Sequence, residues 1–450
     1  MVMLMCSSKK IWSNGTLTYT LTGLVVLFVF LLVGDFTWAL RERSAGMIAR
    51  IMLKKFGASD FLNGLIVVSI PTVIGLFLGP IISYKSDRHR GRWGRRIPFL
   101  ALTTPIAVAG LAGMAFSPLI GQWLGEHFFG REHAILLSIA VFWILFEFGA
   151  IAANSIFSAL INDVVPQELL GRFYGLFRIV SLAAGIIFNY WFLGKCETHY
   201  TMLFLGVGII YGIGFTLLCL KVREGEYPDP PMPEDGRKGI LGAAASYFRE
   251  SFGHRYYVLV FIFLMVAGFV FMPVNIYCVF YAKQLNVTMD SYGKFIAYSY
   301  VISFALSYTL GVLADKFHPL RCGLVIMCIY AATSFLSGFC ITDELTFATA
   351  VILHCVISGS YFTLTASLPL RLYPKSRFAQ FSSAGGILVA LGNMSIVPLV
   401  GKFFDWYGYD YRWLFYFGGI FAVATVLLGL WLYRYFRQYG GVSNYTAPTV

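Results

Sequence analysis

FLNGLIVVSIPTVIGLFLGPIISYKSDRHRGRWGRRIPF, residues 61–99, falls into two unlike parts. From Phe61 to Tyr84 it has no Asp, Glu, Lys or Arg; directly after come Lys85, Asp87, Arg88, Arg90, Arg92, Arg95 and Arg96. A helix needs about 20 mostly apolar residues to cross a hydrocarbon layer of roughly 30 Å. An uncharged run of that length ending in a basic loop is the signature of a membrane-spanning helix whose exit faces the cytoplasm.

Runs of the same kind recur along the 450 residues, of which 58% are hydrophobic and 12% charged; soluble domains carry roughly a quarter charged residues. Six precede the middle of the chain: Leu21 to Met47, Phe61 to Tyr84, Ile97 to Ile120, Ala134 to Leu160, Phe173 to Leu193 and Met202 to Leu220. Six follow it: Tyr257 to Tyr281, Phe295 to Leu313, Cys322 to Cys340, Phe347 to Leu370, Ser382 to Phe403 and Trp413 to Tyr435. Continuous runs of this length exclude a strand barrel, whose segments are about ten residues long and alternate. The first run is too long for a secretory signal and lacks a small-residue cleavage site, so it is expected to stay in the mature protein. The chain therefore reads as an all-α membrane protein of 12 transmembrane helices in two pseudo-symmetric six-helix bundles. Residues 1–220 form the first bundle, 221–255 a cytoplasmic linker with a surface helix, 256–437 the second bundle and 438–450 a cytoplasmic tail.

The net charge of +12 would suggest nucleic acid in a soluble protein. Here the basic residues alternate from loop to loop, which places both termini and the linker in the cytoplasm and makes nucleic acid unnecessary as a partner. Arg50, Lys54 and Lys55 break the alternation. The eight cysteines form no C-x-x-C pair, and no metal site or cofactor is expected. Neither H-E-x-x-H, nor G-x-S-x-G, nor a phosphate-cradling glycine loop occurs, so the chain does not read as an enzyme.

Ser83-Tyr84-Lys85-Ser86-Asp87-Arg88 has a counterpart in Gly311-Val312-Leu313-Ala314-Asp315-Lys316, each closing an apolar run. Duplicated bundles of this sort are the build of many transporters. The loop through Asp87, Arg88, Gly94, Arg95 and Arg96, with Asp163, Pro166, Glu168, Gly171 and Arg172 after the fourth run, resembles the signatures of the major facilitator superfamily. Within it, Ser86-Asp87-Arg88, Arg92-Trp93-Gly94-Arg95-Arg96-Ile97-Pro98-Phe99 and Phe36-Thr37-Trp38-Ala39-Leu40 resemble the glycoside-pentoside-hexuronide:cation symporters and the sucrose:proton symporters. The resemblance implies alternating-access transport of a sugar or glycoside, through a cavity lined chiefly by helices one, four, seven and ten.

Ionisable groups inside spans cost about 2.5 to 3.5 kcal/mol each on insertion scales. That filter selects Asp35, Arg41, Glu42 and Arg43 in run one, Glu147 in run four and His354 in run ten. Helical spacing puts Trp38 beside Asp35 and Glu42, Asn154 beside Glu147, Ser358 and Tyr361 beside His354, and Tyr277 with Tyr281 on run seven, where Asn275 follows the helix-bending Pro273. These residues are the expected substrate site: carboxylates for sugar hydroxyls, Trp38 for a ring face, and Arg41 or Arg43 holding Glu147 as an ion pair. Glu42 and Glu147 are the expected proton carriers, because coupling requires a carboxylate that binds and releases a proton near working pH. Asp87 is expected to pair with Arg88, Arg95 or Arg172, and with Arg96 and the second-half Asp315 to gate the mouth.

The expected activity is proton-coupled uptake of a small polar solute by a monomer in a plasma membrane, the inner membrane of a bacterium. An exporter or symporter of an organic anion such as a uronate, and a transport-inactive sensor on the same fold, are the alternatives.

Overall fold

The computed structural model describes residues 11–127, 131–227, 247–374 and 377–448. Among them twelve helices are long and apolar enough to cross a membrane: α1 Leu21–Lys55, α2 Asp60–Arg88, α3 Ile97–His127, α4 His133–Val164, α5 Gln167–Lys195, α6 Tyr200–Lys221, α7 Arg255–Gln284, α8 Met289–Phe317, α9 Pro319–Cys340, α10 Glu344–Leu372, α11 Gln380–Trp406 and α12 Trp413–Gln438. A short hairpin, β1 Trp12–Asn14 with β2 Leu17–Tyr19, precedes them. Most of the expected linker, including its alanine-rich part, lies outside the described residues.

The helices outrun the apolar stretches that betray them. α1 is 35 residues long, roughly 50 Å at 1.5 Å per residue, well beyond the hydrocarbon thickness. Arg50, Lys54 and Lys55 therefore sit in its last turns rather than in a loop, where basic groups complement the helix dipole. Lys55 Nζ donates to the Glu197 carbonyl at 2.8 Å. The exception to the charge alternation is thus a helix end.

Two compact units emerge. Among the described residues, one contains those within 11–56, 74–188 and 196–227, the other those within 57–73, 189–195 and 247–448. In the first, α3 and α4 are packed on glycines: a Cβ on Gly110 would run into the Phe146 backbone, and one on Gly149 would lie 2.6 Å from Ala107 N. Only small residues let two spanning helices approach so closely. That approach fixes Phe146 and Glu147.

In the second unit the first turn of α2 is capped from α11. The Asp405 carboxylate accepts from Asp60 N at 2.7 Å and Phe61 N at 2.8 Å. Tyr411, between α11 and α12, donates to Asp60 Oδ2 at 2.7 Å. Both α2 and α5 carry a π-helical turn, at Leu65–Ser69 and Phe188–Phe192, a feature common where a helix is bent for function. α7 breaks between Phe269 and Met272, with Pro273 opening its second segment. The missing N–H of proline is harmless at that position.

His318 joins α8 to α9 with φ of 74°, and its Nδ1 accepts from Leu320 N at 3.3 Å. It is 4% exposed. Burial, reinforced by the charges of Arg371 and Arg321, lowers its pKa to about 4. The unfolded chain takes up this proton near pH 6.5, the folded chain near pH 4, so stability falls as pH drops through that window and is level above it. His318→Asn keeps an acceptor for Leu320 N and tolerates the left-handed backbone. Melts of the variant between about pH 4 and pH 7 are expected to lose this part of the slope; an unchanged slope would place the titration elsewhere.

Candidate functional site

In the first unit, three helices bring side chains to one place at mid-span. Asp35 on α1 is fully buried, and neither carboxylate oxygen has a hydrogen-bond partner among the described residues. Trp38 Nε1, Arg41 Nε and Tyr211 OH are equally unmet. The Arg41 guanidinium stands 5.6 Å from the Trp38 ring, 5.7 Å from Phe146 of α4 and 6.0 Å from Tyr211 of α6. Cation–π attraction of this kind strengthens as water is removed.

Of the carboxylates, Glu147 is the one on which this arginine acts, and the two do not bond. Glu147 is half-buried and makes no salt bridge among the described residues; the charged groups acting on it are Arg41 and Glu42. Glu42 also acts on Asp35. The expected ion pair of Glu147 with Arg41 or Arg43 is therefore not formed. Arg41 is drawn into the aromatic cluster, and Arg43 Nη2 donates to Ser181 Oγ of α5 at 3.5 Å. Along α1 the shared face runs from buried Asp35 through half-buried Trp38 to exposed Glu42. Asn154 on α4 is exposed too. Polar groups exposed at this depth face a wet cavity rather than lipid.

In the second unit, buried His354 of α10 is held on both ring nitrogens. Its Nε2 lies 3.1 Å from Asn275 Oδ1 of α7 and its Nδ1 2.8 Å from Tyr330 OH of α9. With the amide oxygen accepting from Nε2–H, the tyrosine donates to Nδ1, which defines the neutral tautomer. Asn275 is exposed, so this chain of bonds reaches an accessible surface. Ser358 Oγ bonds back to the Cys355 carbonyl at 3.0 Å, and Tyr361 packs 5.6 Å from Phe271.

Two expected substrate contacts on α7 prove to be packing. Tyr277 is buried and donates to the Val397 carbonyl at 2.9 Å, with the Asp60 carbonyl at 3.2 Å. Tyr281 is buried with its ring edge-on to Phe347 at 5.5 Å. Asn275 faces the other way because, two residues before Tyr277 in the same helical segment, it lies about 200° round the helix.

The basic loop is knit into the ends of α2, α3 and α4. Gly94, at φ of 92°, turns the chain so that Arg95 and Arg96 reach back. Arg96 pairs with Asp87 at 2.5 Å and with Asp163 at 3.0 Å, and donates to Ser86 Oγ at 3.0 Å. Arg95 binds Asp163 through two nitrogens, at 2.7 and 3.1 Å. Asp87 thus pairs with Arg96, not with Arg88, Arg95 or Arg172. Arg88 instead lies 3.8 Å over the Tyr84 ring one turn earlier, and Arg172 is exposed.

Glu224, beyond α6, caps the start of α3 by accepting from Arg95 N, Arg96 N and Ile97 N at 3.0, 2.8 and 2.7 Å. The second unit repeats the pattern more simply, with Asp315 at the end of α8 bonded to Arg371 near the end of α10 at 2.9 Å.

Tyr211, Phe146, Tyr330, Asp163 and Glu224 were not among the expected site residues. Asp163 stood in a quoted motif. The others are uncharged or lie in a loop, so a search for charges inside spans passes over them.

Residues 44–375 match the family described as MFS/sugar transport protein. A 178-residue stretch is 25% identical to solute carrier family 45 member 4 of Mus musculus, covering 36% of this chain and 22% of that protein. Another, of 151 residues, is 25% identical to protein PucC of Rhodovulum sulfidophilum, covering 32% and 33%. The matches thus span a third or less of the length of these curated relatives. Among solved structures, a D-xylose-proton symporter is similar over 91% of this chain and 96% of its own, with a TM-score of 0.65 and 13% identity. The nucleoside transporter NupG is similar over 91% of this chain and 99% of its own, with a TM-score of 0.64 and 12% identity. At such identities the likeness is one of fold. With twelve helices among its described residues long and apolar enough to span a membrane, and a family match across most of its length, the chain belongs to the MFS/sugar transport family, whose members are transporters and not enzymes.

Proposed function

We propose that the protein imports a sugar or glycoside together with a proton, by alternating access between halves 1–220 and 256–437. It does so as a monomer in a plasma membrane, a bacterial inner membrane, with both termini and the 221–255 linker in the cytoplasm. The observation that carries this reading is the mid-span cluster of α1, α4 and α6. Its carboxylates Asp35, Glu42 and Glu147 offer acceptors, while Arg41 Nε, Tyr211 OH and Trp38 Nε1 are donors awaiting a partner. A sugar presents hydroxyls that donate and accept, plus an apolar ring face suited to an aromatic side chain. The family match to sugar transport and the fold shared with a D-xylose-proton symporter support the same substrate class.

Coupling is assigned to Glu147 with Glu42, whose charges act on one another beside Arg41. The expected result for Glu147→Gln in proteoliposomes is loss of pH-gradient-driven accumulation with substrate counterflow retained, because exchange needs binding but no net proton movement. Accumulation driven by sodium alone and untouched by the substitution would refute proton coupling. Failure of counterflow in the unaltered protein would favour a sensor.

An organic anion such as a uronate is the second reading, favoured by the unmet Arg41 Nε in an aromatic cluster that excludes water. Neutral glycosides and uronates, compared for binding to the unaltered protein and to Arg41→Gln, separate the two. The Asp87–Arg96–Asp163 bonds in the first half and Asp315–Arg371 in the second are assigned to stabilising the cytoplasmic ends, with Arg88, Arg95 and Arg172 beside them.

A further inference from the structure

Apart from the mid-span cluster, the described residues enclose a sizeable cavity. It measures about 930 Å³ and opens between the basic ends of α3 and α6. Arg92, Arg223 and Trp93 stand at its rim, and Ala101, Pro105 and Leu220 form its apolar wall.

The charges at the rim are unequally committed. Arg95 is bonded to Asp163, and Arg90 Nη1 donates to the Asp87 and His89 carbonyls at 2.8 Å. The Glu224 carboxylate is occupied by three backbone N–H groups, and Glu226 adds an exposed carboxylate. Arg92 and Arg223 are exposed and make no salt bridge among the described residues. Two guanidiniums are thus left facing an opening, and their planar donor sets match a phosphate.

The wall says where that phosphate comes from. It continues onto faces of α3 and α6 where Leu102 is 65% and Leu220 72% exposed, which in spanning helices is the surface that meets lipid tails. Trp93, 69% exposed, sits where the basic loop joins the apolar run, the depth at which tryptophan anchors at headgroups. We infer that this cavity binds an anionic phospholipid of the surrounding bilayer, with Arg92 and Arg223 on its phosphate and its acyl chains along α3 and α6. Basic pockets at the ends of spanning helices have this chemistry in general. Because Tyr227 also lines the cavity and lies 3.9 Å from the Arg95 guanidinium, the lipid would rest against the loop that holds Asp163.

The test titrates the purified full chain with phosphatidylglycerol or phosphatidylcholine of matched chains and counts bound lipids by native mass spectrometry. Phosphatidylglycerol is expected to bind at least about tenfold more tightly, and to weaken about fivefold for each of Arg92→Gln and Arg223→Gln, the two effects compounding in the double variant. Arg437→Gln, at an exposed arginine that does not line the cavity, is expected to change nothing. Ala101→Trp fills the wall without altering charge and is expected to displace the lipid as well. Glycerol 3-phosphate is expected not to compete, since it lacks the chains. Equal binding of the two lipids, or indifference to the double variant, overturns the site. Competition by glycerol 3-phosphate at equal affinity overturns the lipid assignment in favour of a soluble anion.

Discussion

Asp163→Ala is expected to destabilise the protein by about 2–4 kcal/mol, the largest loss from any single substitution in the basic loop network. Its carboxylate accepts three bonds, two from Arg95 and one from Arg96. The Arg96 side chain is 6% exposed, that of Asp163 14% and that of Arg95 20%. Removing the carboxylate leaves two guanidiniums in a poorly hydrated place with one remaining ion pair, that of Arg96 with Asp87. Asp163→Asn retains an acceptor oxygen and should lose about half as much. Asp87→Asn should lose less than about 1 kcal/mol, because the Asp87 side chain is 53% exposed and its bond with Arg96 competes with water. Thermal or denaturant unfolding of the three variants in one detergent measures the order. Equal losses would mean that the network does not hinge on Asp163. A transport defect in Asp87→Asn without a matching loss of stability would locate the gate at the Asp87–Arg96 bond.

The twelve spans were legible because lipid imposes one demand on every spanning helix, a long run without charge. Their ends were not. α1 continues to Lys55 since a helix does not stop where the hydrocarbon stops. Asp35, Arg41, Glu42, Glu147 and His354 were found by the cost of a charge inside a span, and in the structure Glu42 acts on both Asp35 and Glu147 while Arg41 acts on Glu147. What each of them touches was hidden. Arg96 meets Asp163 across 67 positions of sequence and the Arg95 backbone meets Glu224 across 129, and no periodicity reports on such pairs. On α7 helical phase separated Asn275 from Tyr277 and Tyr281 but did not say which face is open: Asn275 is exposed and the tyrosines are buried. Tyr211 carries no charge and belongs to an apolar run without a charged residue, yet its hydroxyl stands among the unmet donors.

Asp35→Asn is expected to separate stability from transport more sharply than any other change in the first half. A buried carboxylate without a hydrogen-bond donor or a cation costs several kcal/mol of folding free energy. Asparagine has the same shape and no charge, and its own unmet amide costs about 1–3 kcal/mol. The variant should therefore unfold at a higher temperature, gaining about 1–3 kcal/mol. Glu42→Gln changes a side chain exposed on the same face and should stay within about 0.5 kcal/mol of the unaltered protein. If Asp35 accepts a substrate hydroxyl, its charge-assisted bond is lost in the variant and uptake falls about 100-fold or more, combining a weaker contact with a poorly poised site. Gains in stability with losses in activity mark groups held in an unfavourable state for function. Lower stability in Asp35→Asn would instead mean that the carboxylate has a structural partner, and undiminished uptake would remove Asp35 from the pathway. Between those outcomes, a stabler and inactive protein is the one consistent with a buried, unbonded carboxylate waiting for a solute.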